Sequence, residues 1–167
     1  MTAASPVQRK GASVWDALQD VKDPEIPALS VVELGVVRSV DVTTDRVHVE
    51  LLPTFLGCPA LEMMRDAIRE RLAGFAPEVH VEISYAEPWT SDRITDDGRR
   101  KLRESGFAPP MAGGGVAALP IALVPAAPCP FCGSRRTLLE NAFGPTQCRA
   151  IHYCTDCRQP FEQFKAV

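Results

Sequence analysis

The fold of the C-terminal part of this 167-residue chain is decided by the stretch Cys129-Pro-Phe-Cys132-Gly133 and its partner Cys154-Thr-Asp-Cys157. Each places two thiols on one tight turn, and 21 residues (133–153) separate the two pairs. A structural zinc site uses four such ligands in a tetrahedron, at about 2.3 Å from the ion. The spacing therefore predicts a zinc-ribbon module over residues 128–167, with four ligands: Cys129, Cys132, Cys154 and Cys157.

Disulfide pairing is the alternative for these four cysteines, and it requires an oxidising compartment. Met1 is not followed by a charged segment and then an apolar one, so no signal peptide is predicted. We therefore expect a cytoplasmic protein in which the thiols bind a metal. A thiolate tetrahedron also accepts iron, as a single ion or as a cluster, so the pattern favours zinc while leaving iron open.

Cys148 and His152 lie between the two pairs and are potential ligands by residue type. Because four better-spaced thiols already complete a tetrahedron, we expect both residues to lie outside the ligand set. Alternatively, Cys148 could act with Cys58 as a redox or cluster ligand if the ribbon folds back over the rest of the chain. Arg149 beside it would favour a thiolate.

The charge is unevenly distributed along the chain. Residues 128–167 contain five Lys or Arg and three acidic residues, a balance of +2, which leaves −5 for the remainder of a chain whose net charge is −3. An acidic body argues against nucleic acid as a partner, and +2 on the ribbon is too little to argue for it. No apolar run approaches the roughly 20 residues that span a bilayer, so no membrane segment is predicted.

The residues before the ribbon predict an α+β domain over 13–106. Residues 1–12 lack periodicity and are expected to be a disordered tail. The elements expected after it are a helix from Ser13, a hairpin of 36–42 and 47–52, a helix from Pro59, a strand at 79–83 and a helix near Thr95. This order indicates a small three-stranded sheet with packed helices. Residues 107–127, with glycines at 113–115, are expected to be a linker.

Cys58 directly precedes the helix predicted from Pro59. Backbone N–H groups and the positive end of the helix dipole point at a residue in this position and favour a thiolate, the form that binds metals. A buried, inert cysteine that packs as a small apolar residue is the alternative. The residues themselves leave both interpretations open.

Three segments of the first domain resemble the signature of the small α+β family associated with iron–sulfur cluster assembly. They are Asp23-Pro24-Glu25, Glu33-Leu34-Gly35, and Thr54 followed by Cys58-Pro59. The resemblance implies that Cys58 handles iron or a cluster, with Asp23, Glu25 and Thr54 as neighbouring candidates. It therefore implies transient iron or an iron–sulfur cluster as a cofactor, besides the structural zinc of the ribbon.

A longer resemblance joins both modules in order and covers about residues 13–165. Trp89-Thr90, Gly98-Arg99, Phe143-Gly144-Pro145 and Pro160-Phe161-Glu162 resemble the D-component family of the phenylacetyl-CoA epoxidase system. The resemblance implies an accessory or maturation factor for aerobic phenylacetate degradation rather than an enzyme in its own right.

The implied partners are the catalytic subunit, the reductase subunit or both. A non-catalytic docking adapter of the same multicomponent monooxygenase is the alternative. A di-iron site in a helical bundle uses Glu-x-x-His pairs. None of the three histidines, His48, His80 and His152, stands in such a pair, which agrees with an accessory role.

Overall fold

The computed structural model describes residues 6–55, 58–110 and 127–165. The chain divides into two compact units, with the boundary between Trp89 and Thr90, and each unit has its own sheet. No helix among the described residues is long and apolar enough to cross a membrane.

The first unit is an α+β arrangement with a three-stranded sheet. Its elements are α1 (Pro6–Gln19), β1 (Val37–Val42), β2 (Arg46–Leu51), α2 (Pro59–Leu72) and β3 (Glu78–Ile83). β1 and β2 form an antiparallel hairpin, and α2 connects β2 to its parallel neighbour β3. The side chains of Val47, Val49 and Leu51 are fully buried while their neighbours along β2 are not, the alternation expected of a strand with one covered face. The predicted fold class is confirmed.

The first helix extends further than its hydrophobic pattern indicates. It begins at Pro6, so residues 6–12 of the predicted 1–12 tail are helical, and Ser13 lies inside the helix. The buried side chains described in α1 all follow Ser13, which is why periodicity marks only its second half. The first half makes a long-range contact that no local pattern shows, from Lys10 Nζ to the carbonyl of Thr43 at 2.9 Å.

Trp89 ends the first unit as part of its core. The side chain is buried, and its indole Nε1 donates a hydrogen bond to the carbonyl of Leu34 at 3.2 Å. A buried tryptophan requires such an acceptor for its one polar group.

The second unit contains a 3-10 turn (Ser91–Arg93), α3 (Asp96–Glu104) and four strands, β4 (Phe107–Ala108), β5 (Thr137–Asn141), β6 (Arg149–Cys154) and β7 (Pro160–Phe164). The strand order is β4-β7-β6-β5, with β4 parallel to β7 and the other pairs antiparallel. Thr95 caps α3 by accepting the N–H of Gly98 at 3.0 Å, which explains why this helix begins where it was predicted.

Two boundaries in the structure differ from those drawn on the sequence. The last helix assigned to 13–106, α3, belongs to the second unit, and the first two residues of the expected 107–127 linker form β4. Both differences have one cause, because Phe107 pairs with Glu162 and Ala108 with Gln163 of β7. A two-residue strand has no periodicity of its own, so only its distant partner reveals it. Residues 111–126 of the linker lie outside the described residues.

Candidate metal centre and cysteine sites

The four predicted ligands of the ribbon lie together. Their Sγ atoms are all within 4.8 Å of one another, and Cys129–Cys157 and Cys132–Cys154 are each separated by 3.6 Å. A tetrahedral ion with bonds of about 2.3 Å would hold its sulfurs about 3.8 Å apart, so the donor set fits zinc. All six cysteines of the chain are free of disulfides.

Each cysteine pair is carried by a turn with the same hydrogen bond. The N–H of Gly133 donates to the carbonyl of Cys129, and the N–H of Arg158 donates to the carbonyl of Cys154, both at 2.9 Å. Gly133 has φ 75° and Arg158 has φ 59°, so the residue after the second cysteine is left-handed in both turns. Glycine adopts this conformation without strain, whereas arginine does so at a cost.

The surroundings of the thiols differ in their effect on protonation. The backbone N–H groups of Cys157 and Asp156 lower the pKa of the Cys154 thiol to about 7. Burial, followed by the neighbouring sulfurs, raises the pKa of the Cys157 thiol to about 12. A metal ion must therefore displace a proton from Cys157 at neutral pH, and binding releases protons.

Asp156 braces the two turns, and sequence reasoning missed it. Its carboxylate accepts hydrogen bonds from the hydroxyl of Ser134 and from the guanidinium of Arg136, which both follow the first cysteine pair. Arg136, with Ser134, lowers the pKa of Asp156. The sequence contains an acid in one turn and a base after the other, but opposite charges 20 residues apart do not by themselves indicate contact.

Cys148 and His152 are both buried. Among the described residues, the cysteine cluster contains only the four cysteines of the two C-x2-C turns and neither of these residues. The Cys148 Sγ lies 3.0 Å from the hydroxyl of Thr146. The His152 ring stacks on Phe161 with 5.4 Å between centroids and 18° between planes. That both residues lie outside the ligand set stays a prediction.

Cys58 occupies the N-cap position of α2, a helix of 14 residues that begins at Pro59. Its backbone is extended, with φ −65° and ψ 115°, and no side chain caps the helix. The cysteine is partly exposed, while Thr54 before it is buried. A thiol in this position lies at the positive end of the helix dipole. Leu56 and Gly57 lie outside the described residues.

Asp23 has a local role in the loop between α1 and β1. Its buried Oδ1 accepts the N–H groups of Glu25 and Ile26, each at 2.7 Å. Such a turn fixes the loop without metal. Among the described residues, neither Asp23 nor Glu25 joins Cys58 in a group of three potential metal ligands.

Glu33 and Ser30 support the same loop, and they too were not assigned from the sequence. The Glu33 Oε2 accepts the N–H of Ser30 at 2.9 Å, and the Ser30 hydroxyl accepts the N–H of Glu33 at 3.1 Å. The spacing of a hydroxyl and a glutamate three residues apart is the available signal for this reciprocal pair.

A second group of potential ligands lies on the sheet of the first unit. One donor atom each of His48, Glu50 and Glu82 falls within 4.8 Å of the others. Glu50 forms an ion pair with Arg38, and the His48 Nε2 lies 3.3 Å from a carboxylate oxygen of Glu82. These partly exposed side-chain contacts account for the grouping without a metal.

Comparison with known proteins assigns a family to each part of the chain. Residues 12–85 match the family described as iron-sulfur cluster assembly protein, and residues 120–165 match the PaaD zinc beta ribbon domain. Over 156 residues the chain is 40% identical to a protein of Escherichia coli (strain K12) that is named as the D component of 1,2-phenylacetyl-CoA epoxidase, covering 92% of each protein. The chain belongs to the PaaD family of phenylacetyl-CoA epoxidase components. The resemblance inferred from the sequence is thus confirmed, and so is the zinc ribbon.

Two further relatives match the N-terminal part of this family member. The Fe-S protein maturation auxiliary factor YitW of Bacillus subtilis (strain 168) is 34% identical over 87 residues, which cover 50% of this chain and 83% of that protein. A crystal structure of a domain of unknown function from Bacillus anthracis superposes with a TM-score of 0.52 at 21% identity, covering 56% of this chain and 92% of the other. The structural match supports the α+β fold of the first unit.

Proposed function

We propose that this protein is an accessory factor that assists the assembly of an iron or iron–sulfur centre in phenylacetyl-CoA epoxidase. The observation that carries the proposal is the joint presence, in one chain, of an iron–sulfur assembly domain and a PaaD ribbon. The relative named as a component of that epoxidase aligns with this chain across both parts, over 92% of its length. An assembly domain within a component of this system can act on the metal centre of the same system.

Cys58 is the residue that we assign to the transient binding of iron or a cluster. A carrier has to expose its thiolate enough to release its cargo, and Cys58 is partly exposed at the N-terminus of α2. Glu25 is also partly exposed, whereas Asp23 and Thr54 are buried. In this proposal Glu25 offers a carboxylate to the cargo, while Asp23 and Thr54 hold the shape of the two loops.

The ribbon supplies a structural metal site and, in this proposal, the surface that binds the catalytic or the reductase subunit in the cytoplasm. Four thiolates fill a zinc tetrahedron and leave no open position for chemistry. The ion therefore stabilises the fold of the second unit, whereas Cys58 in the first unit handles the cargo.

The proposal is tested by Cys58→Ala in cells that depend on the epoxidase, with Cys148→Ala as the control for the loss of a cysteine that is not assigned to cargo or zinc. We expect Cys58→Ala to keep its fold and its zinc, while iron and acid-labile sulfide in the purified epoxidase subunits fall severalfold. Cys148→Ala should leave the content of the client unchanged. Normal metal content of the client with Cys58→Ala would exclude the carrier role.

A docking adapter without cargo is the second candidate, and exposed apolar side chains of the second unit favour it. Phe131 is 56% exposed, Leu138 58% and Phe143 67%. Large exposed apolar residues are common at surfaces that bind other proteins. An adapter is indicated if Cys58→Ala is fully active while Phe131→Ala and Phe143→Ala, with their zinc retained, fail to co-purify with epoxidase subunits.

A further inference from the structure

One of the four zinc ligands is held differently from the other three. Cys129 and Cys154 belong to a buried apolar cluster of the second unit, and Cys157 packs against that cluster. Cys132 is exposed and is not among the described members of the cluster. A Cβ at the next residue, Gly133, would have no described neighbour within 4 Å. Apolar packing therefore fixes three of the sulfurs, while the position of the Cys132 sulfur depends on other contacts.

Polar contacts join the segment after Cys132 to the second cysteine turn. The Asp156 carboxylate accepts hydrogen bonds from the Ser134 hydroxyl and the Arg136 guanidinium. The carbonyl of Arg136 accepts both the N–H and the hydroxyl of Thr155, each at 2.9 Å. We call these four residues, 134, 136, 155 and 156, the clamp.

The clamp reaches the zinc ligands through two backbone N–H groups. The N–H of Ser134 donates to the Cys132 sulfur, and the N–H of Asp156 donates to the Cys154 sulfur. These two sulfurs lie 3.6 Å apart, one on each turn. The hydrogen bond between the side chains of Ser134 and Asp156 thus ties together the two residues that orient this sulfur pair. Residues that orient metal ligands commonly change metal affinity by roughly 10- to 100-fold when they are altered.

The hydroxyl contact is the stronger part of the clamp. The Arg136 side chain is 78% exposed, so solvent screens its ion pair with Asp156. The Asp156 side chain is only 28% exposed, and a hydrogen bond from a hydroxyl to a carboxylate is assisted by the charge of the acceptor. The bond from Ser134 to Asp156 therefore contributes most to holding the two turns together.

We propose that Cys132 is the ligand at which the zinc site opens, and that Asp156 is the positioning residue that keeps it closed. Loss of the Asp156 carboxylate frees the segment that carries Cys132, while the three packed thiols stay in place. A chelator or an alkylating reagent then reaches the site from the Cys132 side. This inference concerns the ribbon alone and does not depend on the proposed role of Cys58.

The experiment makes two measurements on the full-length, zinc-loaded protein. Zinc transfer to an excess of a chromophoric chelator gives the rate at which the site opens. Brief treatment with N-ethylmaleimide, followed by peptide mass spectrometry, gives the order in which the cysteines react. In the wild-type protein we expect Cys132 to be alkylated before the other three ligands. Asp156→Ala should transfer zinc about tenfold faster and should raise the alkylation rate of Cys132 by a similar factor, with the order of the four ligands unchanged.

Two further variants separate the clamp from a general effect of charge. Ser134→Ala removes the other half of the same contact, and Glu140→Ala removes a carboxylate of the same sheet that is not part of the clamp. We expect Ser134→Ala to accelerate zinc transfer and Glu140→Ala to match the wild-type protein. Because Ser134 and Asp156 act through one contact, the double variant should be no faster than Asp156→Ala alone.

Four results would each overturn the proposal. They are a wild-type rate of zinc transfer in Asp156→Ala, alkylation of another zinc ligand before Cys132, equal acceleration at all four cysteines, and a double variant in which the two effects add. Equal acceleration would indicate that the whole ribbon loosens rather than one ligand. If Asp156→Ala is purified without zinc, Asp156→Asn, which keeps an oxygen acceptor for the Ser134 hydroxyl, is measured in its place and judged by the same results.

Discussion

The two left-handed positions of the ribbon allow one substitution that weakens metal binding and another that strengthens it. A Cβ at Gly133 would have no neighbour within 4 Å, so Gly133→Ala costs only the backbone strain of φ 75°. That strain is about 1–2 kcal/mol for a residue with a side chain, and the lower chain entropy of unfolded alanine offsets up to about half of it. The net destabilisation is about 1 kcal/mol, which corresponds to about fivefold weaker zinc binding if the ribbon folds only with its metal.

The reverse change, Arg158→Gly, relieves the strain at φ 59° in the second turn. The gain of about 1–2 kcal/mol is reduced by the greater entropy loss of glycine, so we expect zinc binding about two- to fivefold tighter. Competition against a chelator of known affinity at one pH measures both variants. Gly74→Ala in the first unit is the control, because a Cβ there also has no neighbour within 4 Å and its φ is not positive. Unchanged affinity in both Gly133→Ala and Arg158→Gly would refute the role assigned to these positions.

Three further predictions concern the metal and the core. Cys154→Ser should release the metal and expose the second unit to protease, while Cys148→Ser should keep both the metal and the resistance to protease. A Cys154→Ser protein with full metal content would show that this thiol is not a ligand. Zinc affinity should fall at least tenfold per pH unit on acidification below neutrality, because a pKa of Cys157 raised to about 12 means that binding displaces protons; a dye assay showing equal affinity at all pH values would contradict this. Trp89→Phe should destabilise the first unit by about 1–2 kcal/mol in urea unfolding, because the carbonyl of Leu34 loses its indole donor; unchanged stability would show that water replaces the donor.

The sequence by itself determined those features whose cause is local. Each ribbon turn carries its own two ligands, so the C-x2-C spacing predicted which four thiols lie together. The alternation in β2, the start of α2 at Pro59 and the cap at Thr95 are also properties of neighbouring residues. The position of Cys58 at a helix N-terminus followed from the same signals.

Only the tertiary structure decided features that join residues far apart in the chain. The pairing of β4 with β7 brought α3 into the second unit, and the Lys10 ammonium donates to the carbonyl of Thr43, 33 residues along the chain. The contact of Asp156 with the first cysteine turn likewise depends on strand register. The free energy of the whole fold selects such pairings. A residue buries its surface and satisfies its polar atoms with the partner that the chain topology brings close to it. Composition and periodicity carry no record of that partner, so the ribbon's four ligands could be predicted and the contact of Asp156 with the first cysteine turn could not.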